Sequence, residues 1–332
     1  MTTRDFEIPR SVLVGDTADN ELVRAQTILR NEGVNPSVVM EFTAGADGTF
    51  CGIEEARSLL SRILPETGRE VWAMPEGSDV ALGEVALRIR APYASFGLYE
   101  TAICGTLASS TGWATAAREC VDAAQGIPVI SYGARHVHPS VVGVMDYSAV
   151  VGKCVANSSL IGSRLTGLTP SGTMPHALVL MIGDTVRTVL AFDRHMPPEV
   201  PRVALVDTFK DEAEDAMAVA KALRERLRGI RLDTPAQRGG VTPALVHEVR
   251  ARLDQAGYNH VDIYVSGGVN PKRIEEFVED EAPVSVFAVG YHIASAQPIA
   301  FTADIKEIEG RPVAKRGRIP GISVNPRLAR IL

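Results

Sequence analysis

The sequence predicts an α/β protein made of two domains with different patterns. From about residue 120, short apolar runs alternate with amphipathic helical segments, a pattern typical of parallel strands joined by helical crossovers. Up to about residue 115, short apolar segments are separated by turns containing Gly and Pro, which is typical of antiparallel strands. We expect an antiparallel α+β domain at residues 1–115 with 299–332, and a parallel domain at residues 116–298.

In the first domain, strand-like and helical segments occur side by side. The strand-like segments are SVVMEF, REVWAM and EVALRIR, and helical periodicity runs through NELVRAQTILRNEG and IEEARSLLSRI. The stretch PEGSDVALGE is typical of turns between antiparallel strands. The tail IAFTADIKEIEGRPVAKRG returns to the strand pattern, so we expect it to rejoin this domain.

In the second domain, each apolar run is followed by a helical segment. The pairs are IPVISY with PSVVGVMDYSAVVGKCV, RVALVD with EAEDAMAVAKALRERL, GIRLD with TPALVHEVRARLDQAG, VDIYVS with PKRIEEFVED, and VSVFAVG with HIASA. Alternation of this kind closes into a barrel or forms a doubly wound sheet. One further apolar helix, HALVLMIGDTV, is expected to begin at His176 after Pro175.

Composition argues against several classes of protein. The 332 residues are 45% hydrophobic and 22% charged, which suits an ordinary globular protein with a large core. A net charge of -6 argues against sequence-independent binding to nucleic acid. The N-terminal MTTRDFEIPR lacks the apolar region of a signal peptide, and no apolar run is long enough for a membrane helix.

The cysteines indicate a reducing compartment. The chain has 4 of them, Cys51, Cys104, Cys120 and Cys154, and none forms a C-x-x-C pair. This spacing predicts neither a zinc site nor a redox pair, so we expect buried thiols in a cytoplasmic protein.

Polar residues follow the C-terminal ends of the predicted parallel strands. They are Arg135, His136 and His138 after IPVISYGA, Asp207 in VALVD, Arg231 and Asp233 in GIRLD, Ser266, Gly267 and Gly268 in IYVSGG, and Gly290 in VFAVG. In a parallel α/β barrel, the loops after the strands converge on the face that carries the active site. The sequence therefore predicts a single pocket lined by these residues.

Glycines at the last two strand ends suit a phosphate site. Gly267, Gly268 and Gly290 allow backbone N–H groups to approach an anion, and a following helix adds the positive end of its dipole. In α/β barrels, phosphate sites often occupy the last two strand loops. A Gly pair alone is also explained by a tight turn, but the further Gly at the next strand end favours phosphate binding.

Asp207 and Asp233 end successive strands and can face one cavity. Carboxylates in this position accept hydrogen bonds from sugar hydroxyls, hold a cation or perform acid–base chemistry. Both are followed by Thr, so capping of the next helix explains them equally well from the residues alone.

The segment YGARHVHP offers an aromatic ring and several cations. The guanidinium of Arg135 can bind a carboxylate or phosphate through two parallel hydrogen bonds, and Tyr132 can lie beside a heteroaromatic ring. His136 and His138 alternate sides if the strand continues, and no third ligand is evident, so anion contacts are favoured over zinc. His176 is typical of a surface histidine near a helix end.

Taken together, these segments resemble the nicotinate phosphoribosyltransferases, which are grouped with the nicotinamide and quinolinate enzymes as type II phosphoribosyltransferases. The matching segments, in chain order, are MPEGSDVALGE, PYASFGLYETAI, YGARHVHP, SGTMPHAL, LVDTF, IRLDTP, VSGGV and KRGRIPG. The resemblance implies the type II phosphoribosyltransferase fold, an incomplete parallel α/β barrel plus an antiparallel α+β domain. It also implies a homodimer or higher homo-oligomer in which the partner subunit completes the active site.

The resemblance also implies roles for the base and ribose contacts. Tyr132 resembles the aromatic residue that stacks on the pyridine ring, and Arg135 resembles the arginine that meets the base or its carboxylate. Arg231 resembles the family's pocket arginine. Asp233 resembles the acceptor for the ribose hydroxyls, and Asp207 the second acidic residue of that site.

Further roles follow from the same resemblance. The residues that fall where the family grips the 5-phosphate are Ser266, Gly267, Gly268 and Gly290. His176 matches the histidine that ATP can phosphorylate in this family. Ser158, in VANSSL, lies where the nicotinamide-using relatives carry an Asp; because an acid there would repel nicotinate, its absence favours the acid over the amide.

The implied reaction joins nicotinate to PRPP and yields nicotinate mononucleotide and pyrophosphate in NAD biosynthesis or salvage, with ATP coupling in some members. The pyridine nitrogen attacks with its own lone pair, so no general base is needed. Arg135, His136, His138 and a Mg ion carried by PRPP would neutralise the leaving group. The chain stops at Leu332 without a cysteine-bearing zinc module, so we expect no structural zinc.

Because of two departures from the family's pattern, the resemblance does not fix which base is the substrate. Asn20, Glu21 and Leu22 stand where the family often has an aromatic residue, and Tyr291 and His292 occupy the second phosphate loop. The alternatives are a phosphoribosyltransferase for another base such as quinolinate, which would need extra cations for a second carboxylate, and a non-catalytic PRPP-binding regulatory relative.

Overall fold

The computed structural model of the protein describes residues 6–332. Residues 1–5, on which the expectation of no signal peptide partly rests, lie outside the described residues. The strands are β1 (Ser37–Ala44), β2 (Gly48–Thr49), β3 (Glu70–Ala73), β4 (Asp79–Val80), β5 (Val85–Pro92), β6 (Val129–Ser131), β7 (Ala156–Asn157), β8 (Val203–Leu205), β9 (Gly229–Leu232), β10 (Asp262–Val265), β11 (Val286–Val289), β12 (Phe301–Ile308), β13 (Arg311–Pro312) and β14 (Ala329–Arg330). The α-helices are α1 (Arg10–Leu13), α2 (Asn20–Asn31), α3 (Ile53–Ile63), α4 (Tyr93–Phe96), α5 (Glu100–Ala123), α6 (Val142–Val151), α7 (Leu160–Thr166), α8 (His176–Ile182), α9 (Thr185–His195), α10 (Glu212–Leu223), α11 (Pro243–Gln255), α12 (Pro271–Glu279) and α13 (Tyr291–Ala294).

The first compact unit combines the described residues up to Thr115 with Ala296–Leu332. Its main sheet has the strand order β13-β12-β1-β5-β3-β14, and every neighbouring pair is antiparallel. The buried Phe42 on β1 lies opposite Leu87 on β5 and Ala303 on β12. Strand β12, which comes from the C-terminal tail, therefore completes the core of this sheet.

Helix α3 shows how periodicity places a helix on this sheet domain. Its buried residues Ile53, Ala56, Leu59 and Leu60 recur at spacings of three and four, so they form one apolar stripe. The turn-rich stretch PEGSDVALGE contributes β4, which pairs antiparallel with the short strand β2. The remaining face of α3 is available for polar side chains.

One of those side chains, Glu55, gives the stability of this unit a defined pH dependence. Burial, with a smaller contribution from Glu76, raises the pKa of Glu55 to about 7. The pKa of Glu55 in the folded state exceeds the ordinary value of 4.5. The stability contributed by the protonated carboxyl group is therefore fully present below pH 4.5 and is lost as pH rises through about 7. We expect Glu55→Gln to raise the free energy of unfolding by about 1 to 3 kcal/mol at about pH 8, and to change it little at about pH 5.

Urea denaturation at both pH values measures this difference. The matched control is Glu54→Gln on the same helix, which removes only a surface ion pair with Arg57 and should change stability by less than about 1 kcal/mol. An equal gain in the free energy of unfolding from Glu55→Gln at both pH values would contradict the raised pKa of Glu55.

The second compact unit, Ala116–Ser295, contains a six-stranded sheet with the order β7-β6-β11-β10-β9-β8. Every neighbouring pair in it is parallel, and helices form most of the crossovers. Strands β7 and β8 form two open edges, so the sheet is an incomplete barrel. The predicted fold class, an incomplete parallel α/β barrel plus an antiparallel α+β domain, is confirmed.

The prediction of a single helix over HALVLMIGDTV is wrong, because the segment contains one helix and the start of a second. Helix α8 ends at Ile182, and Gly183 follows with a left-handed φ of 82° that terminates the helix. Asp184 then starts α9 by accepting a hydrogen bond of 2.7 Å from the backbone N–H of Arg187. The chain therefore turns within an apolar run that looks continuous in the sequence.

Candidate active site

A cavity of about 810 Å³ lies at the C-terminal ends of the parallel strands in the second unit. The sequence-predicted site residues that line it are Tyr132, Arg135, His136, Ser158, His176, Arg231, Asp233, Ser266, Gly267, Gly268 and Gly290. Among the described residues, the lining does not include two others that the sequence had placed in the site, His138 and Asp207. The loops after five strands of one sheet therefore converge on one space.

The loop after β6 turns at once, and this separates the two histidines of YGARHVHP. Gly133–His136 forms a 3-10 turn, so the strand does not continue as the alternation of His136 and His138 required. His136 lines the cavity, whereas His138 lies before the next turn and its Nδ1 accepts a hydrogen bond of 3.2 Å from the N–H of Ser140. The structure thus gives His138 a local capping contact outside the cavity lining.

Arg135 and Arg231 both line the cavity, but within the described residues only the guanidinium of Arg231 already contacts other side chains. Among residues 6–332, no hydrogen bond or ion pair holds Arg135, which is exposed on the turn. Arg231 is only 11% exposed, and its Nη2 lies 3.5 Å from Asp233. Its guanidinium also lies 5.9 Å from the centroid of the Tyr132 ring, within range of a cation–π contact. Arg135 is therefore the guanidinium that is free to bind an anion.

Two buried polar atoms at the Tyr132–Arg231 contact have no protein partner. In the described chain, the hydroxyl of Tyr132 and Nε of Arg231 are both buried without a hydrogen bond. An unpartnered buried polar group costs free energy unless a ligand or an ordered water supplies its hydrogen bond. Tyr132 and Arg231 therefore bring two unpartnered polar atoms to the residues that line the cavity.

The loop after β10 brings a glycine against the carboxylate of the loop after β9. A Cβ on Gly267 would lie 3.0 Å from Oδ1 of Asp233, and the left-handed φ of 84° at Gly267 adds a second reason for glycine there. The hydroxyl of Ser266 donates a hydrogen bond of 3.0 Å to the carbonyl of Leu232 and so ties the two loops together. Helix α12 begins shortly after this loop, with its N-terminus capped by Asn270.

Gly290 follows β11, and the loop after β6 approaches it too closely for a larger residue to fit. A Cβ there would lie 3.0 Å from the carbonyl oxygen of Tyr132 and 3.3 Å from Nε2 of His136. Tyr291 follows, lines the cavity while 69% exposed, and meets the His136 ring edge-on at 5.7 Å. His292 instead points its Nε2 to within 3.4 Å of Glu119.

His176 reaches the cavity from the start of α8, with Asp207 directly behind it. Nε2 of His176 lies 3.2 and 3.1 Å from the two carboxylate oxygens of Asp207, whose side chain is 1% exposed. Burial raises the pKa of Asp207, and the charge and hydrogen bond of His176 offset part of that rise. Asp207 is therefore separated from the cavity by His176, which explains why it is absent from the lining.

One lining segment was not among the predicted site residues: it lies between β7 and α8 and consists of Ser171, Gly172, Thr173 and Met174. The backbone N–H of Ser171 donates a hydrogen bond of 2.7 Å to the carbonyl of Asn157 on β7, so the segment begins at the strand end. Its signal was the small polar run SGT before Pro175. In the part of the chain that the structure describes, no group of three or more His, Cys, Asp or Glu side chains is arranged to hold a metal ion.

An open parallel α/β barrel with a polar cavity at its strand ends, in a chain that also has an antiparallel α+β domain, is the architecture of a type II phosphoribosyltransferase. Family models agree: the N-terminal domain of quinolinate phosphoribosyl transferase matches residues 19–111, and the C-terminal domain matches residues 113–304. The chain belongs to the quinolinate phosphoribosyl transferase family. Within residues 6–332, no helix has the length and apolar character needed to cross a membrane.

Individual relatives carry related names. A nicotinate phosphoribosyltransferase of Mycobacterium tuberculosis is 32% identical over 232 residues, which are 69% of this chain and 49% of the relative. One of Bacillus subtilis is 27% identical over 231 residues, 68% of this chain and 46% of the relative. The chain thus spans about half the length of these curated relatives.

Among solved structures, the nicotinate-nucleotide pyrophosphorylase of Pyrococcus furiosus is 39% identical with a TM-score of 0.87, covering 97% of this chain and 82% of that one. The human nicotinic acid phosphoribosyltransferase has a TM-score of 0.73 at 17% identity, covering 92% of this chain and 77% of that one. The second likeness concerns the fold alone.

Proposed function

We propose that the protein transfers the phosphoribosyl group of PRPP to nicotinate, forming nicotinate mononucleotide and pyrophosphate for NAD biosynthesis. The observation that carries this proposal is the guanidinium of Arg135, unpaired among residues 6–332, in the same strand-end cavity as the aromatic ring of Tyr132. A planar aromatic carboxylate matches this pair, because Tyr132 offers a flat face and Arg135 a two-pronged donor. The names of the curated relatives point to the same substrate.

The other lining groups fit the second substrate. Asp233 is placed to accept hydrogen bonds from the ribose hydroxyls, and Gly267 and Gly268 expose backbone N–H groups for the 5-phosphate. The Mg ion is proposed to arrive with PRPP. The two arginines add positive charge around the pyrophosphate and the ring carboxylate, and His136 and His176 add ring nitrogens that can form hydrogen bonds there.

The chemistry requires positioning more than proton transfer. The lone pair of the pyridine nitrogen lies in the ring plane and attacks C1 of PRPP directly, so the site needs no general base. As pyrophosphate leaves, C1 acquires positive character, and the carboxylate of Asp233 stabilises that charge while holding the ribose in line. The protein's contribution is therefore a fixed geometry together with charge complementarity.

Quinolinate is the second candidate, favoured by the description of the matching family models. It carries two carboxylates, and each needs its own cation. The described cavity lining contains two arginines and no lysine, and one of those arginines is already close to Asp233. One free guanidinium suits one carboxylate, which favours nicotinate.

Incubation of the purified protein with PRPP, Mg and one base at a time tests the proposal. Nicotinate, nicotinamide and quinolinate are supplied separately, and the mononucleotide is identified by mass. Product from nicotinate is the expected result. Product from quinolinate alone would transfer the proposal to the second candidate, and PRPP binding without product from any base would indicate the non-catalytic relative.

The His176–Asp207 pair supports ATP coupling as part of the same proposal. Because Asp207 engages Nε2, the nitrogen left to accept the γ-phosphate of ATP is Nδ1. We expect His176→Ala to abolish phosphate incorporation from γ-labelled ATP and any stimulation of transfer by ATP, while some ATP-independent transfer remains. His195→Ala, an exposed histidine at the end of α9, is the control and should leave both unchanged. Unchanged labelling of His176→Ala would exclude this histidine as the acceptor.

A further inference from the structure

A fully buried carboxyl group lies behind two of the loops that line the cavity. Asp146, on α6, has a side chain that is 0% exposed. Its Oδ1 accepts a hydrogen bond of 3.2 Å from the hydroxyl of Ser131, and its Oδ2 accepts bonds of 3.1 and 2.5 Å from the N–H and hydroxyl of Ser159. In the described part of the chain, no Lys, Arg or His forms an ion pair with it.

Each of these serines is the chain neighbour of a residue that lines the cavity. Ser131 is the last residue of β6 and precedes Tyr132, while Ser159 follows Ser158 just after β7. Strands β6 and β7 are neighbours in the parallel sheet. One carboxyl group therefore links the starts of two adjacent loops that contribute an aromatic ring and a hydroxyl to the same cavity.

The packing around Asp146 leaves the carboxyl group little freedom. A Cβ on Gly162 would lie 2.4 Å from Cβ of Asp146, so the first turn of α7 sits directly against the carboxyl-bearing side chain. The hydroxyl of Ser159 also accepts a hydrogen bond of 3.0 Å from the N–H of Gly162 and so caps α7. Helix α6, helix α7 and both loops thus meet at one hydrogen-bonded point.

We propose that Asp146 is a positioning residue that fixes Tyr132 and Ser158 in the arrangement that binds the pyridine base. This inference rests on the proposed function, since it assumes that the base lies against those two residues. Asp146 does not itself line the cavity, and it acts through Ser131 and Ser159. Its removal affects the affinity for the base more than the affinity for PRPP, whose proposed ribose and 5-phosphate contacts lie on the loops after β9, β10 and β11.

Asp215 provides a matched control for the structural cost of losing such a group. Its side chain is 2% exposed and accepts a hydrogen bond of 2.7 Å from the hydroxyl of Thr185, on helices that do not carry Tyr132 or Ser158. Removing either carboxyl leaves a buried hydroxyl without its acceptor, so both substitutions lower stability. Only the loss of Asp146 releases the base-binding loops.

The test compares Asp146→Ala, Asp146→Asn and Asp215→Ala in the full-length chain, with thermal unfolding and steady-state kinetics on whichever pyridine base the wild type converts. We expect Asp146→Ala to raise KM for the base by about tenfold, because the loops that carry Tyr132 and Ser158 lose the hydrogen bonds that hold them, with KM for PRPP changed by less than about threefold. Asp146→Asn keeps one carbonyl oxygen for Ser159 and can donate to the Ser131 hydroxyl, so it should restore base KM to within about threefold of wild type. Asp215→Ala should lower the melting temperature and leave both KM values unchanged.

If Asp146→Ala does not fold, Ser131→Ala removes only the 3.2 Å contact and should raise base KM in the same direction by a smaller factor. An unchanged base KM in a folded Asp146→Ala or Ser131→Ala variant, or an equal rise for base and PRPP, would overturn the inference. A wild type that converts no pyridine base would refute the proposed function instead. The positioning role is then decided by calorimetry of nicotinate binding to the same variants, where wild-type affinity in Asp146→Ala would overturn it.

Discussion

Replacing Asp233 with Ala should lower kcat/KM for nucleotide formation by about 100-fold or more while leaving the fold intact. Its carboxylate is proposed to accept the ribose hydroxyls, and two charge-assisted hydrogen bonds of about 1.5 to 3 kcal/mol each account for an effect of this size. The side chain is 27% exposed toward the cavity and is not part of the apolar core. Its removal should therefore leave the fold intact, at a cost of about 1 to 3 kcal/mol of stability because the nearly buried Arg231 loses its carboxylate neighbour.

Asp262→Ala is the matched control. Asp262 begins β10 at the opposite end of the sheet, is 28% exposed and pairs with Arg228 at 3.0 Å, so it resembles Asp233 in exposure and in having an arginine partner. Initial rates and circular dichroism on both variants separate the two positions. Near wild-type turnover in a folded Asp233→Ala protein would remove this residue from the site.

Arg135→Lys should change which base the protein prefers. The substitution keeps the positive charge but loses the paired donor geometry, so one hydrogen bond to the substrate carboxylate is lost. We expect kcat/KM for nicotinate to fall by about tenfold or more, while PRPP binding changes less. Nicotinamide has no negative charge and should lose little, so the ratio of acid to amide use is the quantity to measure.

Steady-state kinetics with both bases in the wild type and in Arg135→Lys provide that ratio. Arg164→Lys, an exposed arginine on α7 outside the cavity lining, serves as the control for a surface arginine replacement. An unchanged ratio would mean that Arg135 serves the pyrophosphate or the local fold. The carboxylate would then have to be sought at Arg231, with Arg231→Lys as the next variant.

The parallel half of the fold could be predicted from the sequence because its strands are short, apolar and each followed by a helix. The same pattern explains why the polar residues at the strand ends lie around one cavity, since parallel strands carry their C-terminal ends to one edge. Strand β7 escaped prediction because two residues, Ala156–Asn157, are too few to show any periodicity. Helix α5 escaped because Ala, Gly, Ser and Thr recur around all its faces and leave no clear apolar stripe.

Within the site, the sequence indicated which residues meet but not how they are layered. It allowed Asp207 and Asp233 to face one cavity, whereas in the structure Asp233 lines the cavity and His176 lies between Asp207 and the lining. The alternation of His136 and His138 depended on β6 continuing past Ser131, but the chain turns there. The sequence pattern did not single out Asp146, because the hydrogen-bond partners of a lone Asp inside an apolar helix are evident only when α7 is packed against it.

A competition experiment tests the central claim most directly. Equal concentrations of nicotinate, nicotinamide and quinolinate are mixed with limiting PRPP, Mg and the wild-type protein, and the mononucleotides are quantified by mass. Because the bases compete for the same enzyme, the product ratios equal the ratios of kcat/KM. The account predicts that nicotinate mononucleotide forms from nicotinate. Its amount should exceed that of the product from nicotinamide by about tenfold or more, since only the acid engages Arg135. Isotopic labelling of the nicotinate ring distinguishes this product from nicotinate mononucleotide made from quinolinate, and predominance of the unlabelled nucleotide would contradict the claim.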